Sequence, residues 1–326
     1  MNTMNLTKWL IRIQGKATDA WRAAWIKRSR SILGAFFFYF VIISLAFVFV
    51  YPLLYMISKS LMRPQDVADA TIQWIPKEFS LRNYKVAMDY LNYWPGLFNS
   101  VLGSFGSAIL QIVSCSLVGY GFARYRFPGQ GFFLGLVVFT FLVPPQTIVV
   151  PLFRMFLDMG MIDTPLPIIL PSLLGHGLKG SLFVLIFIQF YRRLPNVLEE
   201  AARIDGAGAF RTYWTIMFPL ARPAMLVVFL FSVVWHWNDL FEPSLYLRLP
   251  EFYNLTQNMA LFNGVANLDL QSVTSSVSSG ALGAAPTLQN QIMAGVMLTL
   301  LPILILYLFT QRYFVESVER AGIAGE

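Results

Sequence analysis

Residues 200–219 read Glu200-Ala201-Ala202-Arg203-Ile204-Asp205-Gly206-Ala207-Gly208-Ala209-Phe210-Arg211-Thr212-Tyr213-Trp214-Thr215-Ile216-Met217-Phe218-Pro219, a polar segment set between two long apolar runs. Just upstream, Leu194-Pro195-Asn196 starts a helix. Asn196 is placed to cap it, and Glu199 and Glu200 fall in its first turn, where carboxylates favour the helix dipole. Ala201 and Ala202 are small enough to admit a partner's backbone, and Gly206 permits a turn into a second short helix. Arg211, Tyr213 and Trp214 give that second helix charged and aromatic contact groups, and Pro219 opens the next apolar run at a tolerated first-turn position. From pattern alone, a loop helix that packs only on its own bundle reads the same way.

On both sides of this segment the chain is too apolar for water. Of 326 residues, 56% are hydrophobic and 13% charged, against a charged share of about a quarter in soluble domains. Six stretches are apolar enough to cross a hydrocarbon core of about 30 Å, which takes roughly 20 helical residues each. They lie near 32–57, 98–122, 131–149, 167–190, 220–241 and 290–311. Unpaired backbone groups are not tolerated in lipid, and the runs lack the alternation of a barrel, so the expected fold is all-α, a polytopic membrane protein with six transmembrane helices.

Orientation follows from Lys and Arg. With the N-terminus inside, sixteen of these residues fall in cytoplasmic pieces and seven in outer loops, so the positive-inside rule places both termini in the cytoplasm. The net charge of +7 comes from this asymmetry. Basic residues are spread over loops rather than gathered on one face, so nucleic acid is not an expected partner.

Residues 1–30 form a basic segment in which Trp9, Leu10, Ile13, Trp21, Trp25 and Ile26 alternate with cations. It reads as an amphipathic stretch on the anionic inner leaflet, or as a basic tail that fixes topology. The first apolar run lacks a small-residue cleavage site and reads as a retained helix, which leaves 31–326 as the transmembrane domain. The single cysteine, Cys115, excludes an internal disulfide. Arg124 to Gly129 is a short basic inside turn closed by Pro128-Gly129. Pro144-Pro145 follows the third run, and an outer loop of about 242–289 carries a serine-rich stretch of linker character.

Polar residues inside the apolar runs are candidates for function. Lys179, flanked by Gly177 and Gly180, either attracts an anionic substrate or snorkels to the outer surface. His176 beside it reads as a packing residue. His236, Asp239 and Glu242 recur every third residue at the outer end of the fifth run. Two carboxylates and one His suit a metal or a proton relay, but a second His is missing, and Trp235 and Trp237 suit an interface belt, so no metal site is expected. No G-x-x-x-x-G-K-[ST] loop cradles phosphates, so any ATP hydrolysis belongs to another chain.

The segment opened on above resembles the EAA coupling loop, here about 192–219, of the membrane subunits of binding-protein-dependent ABC importers. Glu200, Ala201, Ala202, Gly206, Ile216 and Pro219 match it, with Phe218 in place of the usual Leu. Asn99-Ser100, Tyr120 to Gly129, Val143-Pro144-Pro145, Trp237-Asn238-Asp239, Leu301-Pro302 and Gln311 to Val315 resemble the carbohydrate-importing branch, of the maltose and glycerol-phosphate type. The last outer loop is longer than is typical, and the tail from Glu319 is more acidic.

The resemblance implies a type I ABC importer permease fold and a non-catalytic subunit in a bacterial or archaeal plasma membrane. It implies no cofactor in this chain, since ATP and Mg are held by a partner ATPase. ATPase-coupling residues would be Glu199, Glu200, Ala201, Ala202, Asp205, Gly206, Ile216 and Pro219. Trp235, Trp237, Asn238, Asp239 and Lys179 would lie near the substrate path or its outer gate. The implied partners are a second permease in a heterodimer, an ATPase dimer, an extracytoplasmic solute-binding protein and membrane lipid. Sugars or oligosaccharides would be the cargo, with Lys179 tilting toward an acidic sugar. A membrane-embedded transferase using His236, Asp239 and Glu242, or a proton-coupled secondary transporter, are the alternatives, and neither accounts for residues 200–219.

Overall fold

A computed structural model describes residues 34–63, 66, 74–265 and 285–323. The N-terminal segment 1–30 and the serine-rich part of the last outer loop lie outside the described residues. The chain divides into two units, Met1–Ser58 and Lys59–Glu326. The first contains most of α1 (Gly34–Ser60), a helix whose surface carries neighbouring rings such as Phe36 with Phe40 and Phe47 with Tyr51.

The described residues of the second unit form helices and connecting turns, with no strand among them. Its elements are α2 (Arg82–Tyr90), α3 (Tyr93–Arg124), α4 (Gln130–Leu142), α5 (Val149–Asp158), α6 (Leu166–Leu173), α7 (Gly180–Arg193), α8 (Val197–Ile204), α9 (Ala209–Leu220), α10 (Arg222–Asn238), α11 (Phe241–Tyr246), α12 (255–265) and α13 (Ala285–Ile323). The long α3 is the hub, packed against α6, α7 and α10, while α13 packs against α10 and α2.

The sequence of α3 explains this position. Its buried face runs Gly96, Ser100, Ser104, Ser107, Gln111, Cys115 and Gly119, at steps of three or four residues. Lipid tails are as apolar as leucine, so association in a membrane depends on close backbone approach and interhelical hydrogen bonds, which a stripe of small polar residues supplies. At Gly119 the approach to α7 is so close that a Cβ would lie 2.5 Å from the Cβ of Phe187. Phe183, Phe187 and Tyr191 from α7, Tyr213 and Met217 from α9 and Val228 from α10 complete the core around Cys115 and Tyr120.

The six apolar runs are not six unbroken helices among the described residues. Among the described residues α1, α3 and Gln289–Tyr313 of α13 are long and apolar enough to cross a membrane, and α9 with α10, bent by 74°, makes a fourth if taken as one. The third run stops at Leu142, because Pro144 and Pro145 end α4 after 13 residues and a short 3-10 turn leads into α5. Proline lacks the N–H and fixes the backbone, so helix cannot continue through the pair.

The fourth run, read as continuous over 167–190, is broken between α6 and α7. Pro171 sits near the end of α6, and Gly175 and Gly177 follow at φ 71° and 74°. These angles belong to glycine. Lys179 itself takes φ 62°. The break frees backbone carbonyls, and α3 meets them. Gln111 Nε2 donates to the carbonyls of His176 at 2.9 Å and Leu178 at 3.1 Å. Ser114 Oγ donates to Ser172 O at 2.7 Å, and Ser107 Oγ to Ile168 O at 3.2 Å. Cys115 Sγ sits 3.7 and 3.6 Å from the carbonyls of Gly175 and Gly180. The amide of Gln111 is itself oriented by Ser232 of α10, whose hydroxyl donates to Oε1 at 2.6 Å.

Gln111→Leu keeps the volume and removes these bonds. Leaving buried polar groups unpaired costs about 1–3 kcal/mol. The variant is expected to unfold several degrees below the parent in detergent thermal scans, and Ser114→Ala by less. A Tm equal to the parent's would show that the break holds without Gln111.

Candidate functional site

The polar segment folds as two short helices, α8 and α9, joined at Gly206. Gly206 takes φ 76° just past the end of α8. Its N–H bonds to Arg203 O at 3.0 Å, and that of Ala207 reaches Ala202 O at 2.9 Å. This is the double closure of a Schellman cap, which requires a left-handed residue where Gly206 stands. No neighbouring atom lies within 4 Å of the place a Cβ would take, so glycine serves backbone conformation there and not packing.

The start of α8 differs from the expectation. Asn196 has helical angles and makes no side-chain cap. Its Oδ1 instead accepts from the Arg124 guanidinium at the C-terminal end of α3. Arg124 Nη2 also donates to Leu194 O at 2.6 Å, and its Nε lies 3.5 Å from Glu199 Oε1. The Arg124 and Glu199 side chains are only 6% and 10% exposed. A buried pair of this kind is retained only when further hydrogen bonds meet the guanidinium, as Asn196 and Leu194 do here.

The adjacent glutamates therefore have different places. Glu199 turns inward onto α3, while Glu200 is exposed. Ala202 is buried, and Ala201 and Asp205 face outward. The outer surface of α8 also presents Val197 and Ile204, which are 68% and 86% exposed. Sequence reasoning passed over both residues. Their signal is an apolar side chain on the exposed face of an otherwise polar helix. Arg124, Arg126, Arg192 and Arg203, with Glu199 and Glu200, line a polar cavity of about 430 Å³ beside α8.

Tyr213, expected as an outward contact group, is buried. Its hydroxyl donates to Ser116 Oγ at 3.1 Å, and Ser116 is 2.7 Å from the Tyr191 hydroxyl. One serine of α3 thus ties α9 to α7. Trp214 is half-buried, packed on Phe210 and Phe218, and Ile216 and Pro219 are half-buried. Tyr213–Met217 is a π-turn, and the bend into α10 follows at Ala221, whose N–H is shared by the carbonyls of Met217 and Phe218 at 3.1 Å each.

At the far end of α10, Trp235 stacks on Phe183 and Phe231. Trp237 is buried and its Nε1 donates to Thr299 O at 3.2 Å. Asn238 is exposed, with Nδ2 returned to Val234 O at 2.8 Å. Asp239 caps α11, accepting the N–H of Phe241 at 3.0 Å and of Glu242 at 3.3 Å. His236 is buried, with Nδ1 donating to Ser232 O at 2.8 Å. His236, Asp239 and Glu242 are not gathered into a three-ligand group among the described residues.

Among the described residues, two cavities lie at this end. One, beside His236 and Asp239, has a volume of about 30 Å³, room for a water or two. The other, about 610 Å³, is lined by Lys179, Glu242 and an apolar wall. Lys179 holds the residue before α7 and is exposed.

Residues 112–320 match the family described as binding-protein-dependent transport system inner membrane component. The arabinooligosaccharides transport system permease protein AraQ of Halalkalibacterium halodurans is 28% identical, covering 86% of this chain and 93% of that one. The sn-glycerol-3-phosphate transport system permease protein UgpE of Yersinia enterocolitica is 31% identical over 68% and 71%. The melibiose/raffinose/stachyose import permease protein MelC of Bacillus subtilis is 29% identical over 79% and 86%. A solved bacterial ABC transporter involved in import of the acidic polysaccharide alginate shares the fold at a TM-score of 0.69, covering 88% of this chain and 97% of that one, with 20% identity.

Removing a hydrogen bond to a charged group costs about 1.5–3 kcal/mol, so Arg124→Ala is expected to loosen α8. Limited trypsin digestion in membranes should cut at Arg203 and Arg211 several-fold faster than in the parent. Arg126→Ala, an exposed neighbour, should leave the rate unchanged. Equal rates in all three forms would show that Arg124 does not hold the loop.

Proposed function

This chain belongs to the family of binding-protein-dependent transport system inner membrane components, and we propose that it is the membrane-spanning permease subunit of an ABC importer for sugars. The observation that carries the proposal is the build of α8. Its inner face is locked to α3 through Arg124 and Glu199, and its outer face offers Val197, Glu200, Ala201 and Ile204. Such a helix is a rigid knob for a partner's groove.

Coupling then follows from connectivity. ATP-driven closure of two ATPases on the cytoplasmic side draws the paired α8 helices together. Arg124 passes the displacement to α3, and the bonds of Ser116 with Tyr213 and Tyr191 pass it to α7 and α9. Packed elements move as bodies between two arrangements, and each ligand biases the equilibrium through the contacts it makes in each. The chain itself hydrolyses nothing. ATP and Mg belong to the ATPase partner, and a solute-binding protein outside delivers the cargo.

The chain crosses the membrane six times on this reading, through α1, α3, α4, the broken α6–α7 pair, α10 and the apolar part of α13, with both termini in the cytoplasm. A second, different permease chain completes the path. The cargo named for the relatives, arabinooligosaccharides, glycerol phosphate and raffinose-type sugars, shares many hydroxyls. Lys179, exposed on the wall of the large cavity, favours an acidic member of the class.

Affinity purification of the tagged chain from its own membranes is expected to recover an ATPase and a second permease. Glu200→Ala with Gly206→Pro, or Ile204→Asp alone, should lower ATPase recovery at least tenfold and abolish ATP-driven uptake. Recovery of the chain alone, equally in all forms and without ATP-dependent transport, would overturn the importer reading.

A further inference from the structure

We propose that the polar cavity of about 430 Å³ beside α8 is a binding site for a phosphate-bearing anion, held chiefly by Arg192 and Arg203. The importer reading above supplies only the side of the membrane on which the site lies.

Charge is the first support. Four arginines and two glutamates line the cavity. Arg124 and Glu199 answer each other at 3.5 Å, which leaves Arg126, Arg192 and Arg203 with Glu200 alone against them. Among the described residues none of these last four side chains has a hydrogen-bond or ion-pair partner. The three arginines come from separate places, the turn between α3 and α4, the last turn of α7, and α8. Walls from different elements thus carry one sign of charge into one hollow, which concentrates the field there and raises the local level of anions.

The chemistry of those walls selects the anion. A guanidinium is planar, stays charged and presents its donors as a fork that matches phosphate oxygens in pairs. A phosphate group spreads its oxygens tetrahedrally and can meet forks from several walls at once, whereas a carboxylate offers two oxygens in one plane. The volume lies within the roughly 300–1,000 Å³ of small-molecule sites.

The cavity is also set apart from the face offered to the ATPase. Asn196, Glu200 and Arg203 line it from one stripe of α8. Val197, Ala201 and Ile204 repeat the same spacing one residue on and are exposed outside it. Successive residues point about 100° apart, so a partner that grips the apolar stripe leaves the basic hollow to another occupant.

Two sources supply the phosphate, an anionic lipid of the inner leaflet or a free phosphate ester. The start of α4 favours the lipid. Gln130 lines the cavity and donates to Phe122 O and Tyr125 O, and Phe132 and Phe133 just beyond it are exposed. A headgroup on the arginines then has apolar surface beside it for its chains, as in basic pockets between helix ends at the cytoplasmic face.

The test uses the full chain with the partners that purify with it, in non-ionic detergent. Native mass spectrometry follows binding of palmitoyl-oleoyl phosphatidylglycerol, with the phosphatidylcholine analogue as the uncharged control. Thermal scans follow inorganic phosphate and glycerol 3-phosphate. Arg192→Gln and Arg203→Gln are compared with Arg222→Gln, which removes an exposed charge outside the cavity. Scans without ligand check each fold, and Arg192→Lys, which keeps charge without the fork, replaces a glutamine form that is unstable.

Phosphatidylglycerol is expected to bind the parent and Arg222→Gln at least tenfold more tightly than Arg192→Gln or Arg203→Gln, with phosphatidylcholine alike in all. A rise of several degrees in Tm with the free phosphates, in the parent and Arg222→Gln only and without a lipid difference, would assign the same site to a soluble phosphate ester. If neither lipid nor free phosphate separates the parent from Arg192→Gln and Arg203→Gln, the proposal fails. Should Arg203→Gln then also lose the ATPase, an acidic group of that partner fills the cavity, and the importer reading stands. A parent that never recovers an ATPase counts against the importer reading and leaves the binding result as measured.

Discussion

A carbonyl cut off from water needs a partner from the protein, and the Leu174–Lys179 break between α6 and α7 is where this chain has to meet that constraint. An unpaired backbone group at membrane depth costs several kcal/mol, more than the marginal stability of a protein can absorb many times over. Ser107, Gln111, Ser114 and Cys115 lie along one face of α3 and point their polar atoms at the broken segment. Ser232 orients Gln111 from α10. The hub position of α3 thus has a chemical cause. It supplies hydrogen bonds to the broken segment from Gln111 and Ser114, and one turn further on Gly119 lets it approach α7 closely.

The same helix anchors the opposite end. Arg124, the last residue of α3, holds Leu194, Asn196 and Glu199. Breaking a buried ion pair by removing one member typically costs about 3–5 kcal/mol, because the other charge is left unpaired. The segment around α8 is otherwise short, exposed and glycine-capped, so this anchor decides whether it moves with the bundle or frays from it. Gln111 and Arg124 are thirteen residues apart on one helix, about 20 Å at 1.5 Å per residue. One rigid element therefore joins the break in the fourth run to the loop that protrudes beyond the helices.

The sequence made the long elements legible and left their partners hidden. α1, α3 and the apolar part of α13 follow from uninterrupted hydropathy, and residues 200–219 stood out because a polar segment between apolar runs needs its own explanation. The break in the fourth run did not stand out. Hydropathy adds up composition, and Pro171, Gly175 and Gly177 scarcely lower it, although together they end a helix. The Asn196 cap was a local rule overridden by Arg124, 72 residues earlier. Tyr213 read as a surface aromatic because its partner Ser116 lies 97 residues away. Trp237 has its hydrogen bond to Thr299 for a similar reason. Local pattern identifies which residues have unusual chemistry, and distant residues decide where that chemistry is directed.

The division of Glu199 from Glu200 shows what this means for a motif. Adjacent residues on a helix point about 100° apart, so a glutamate pair in the first turn cannot serve one surface. One member is taken by Arg124 and the other is left at the surface with Ile204 and Val197. Alternating inward and outward residues fix one face of a short helix to the bundle and leave the other face open. The same logic applies along α9, where Tyr213 is fixed inside by Ser116 and Arg211 is exposed. The two short helices are held by inward residues, Glu199 and Ala202 on α8 and Tyr213 and Met217 on α9, and the 74° bend at Ala221 turns their direction into that of α10, the helix that ends just before Phe241 and Glu242 join the wall of the large cavity.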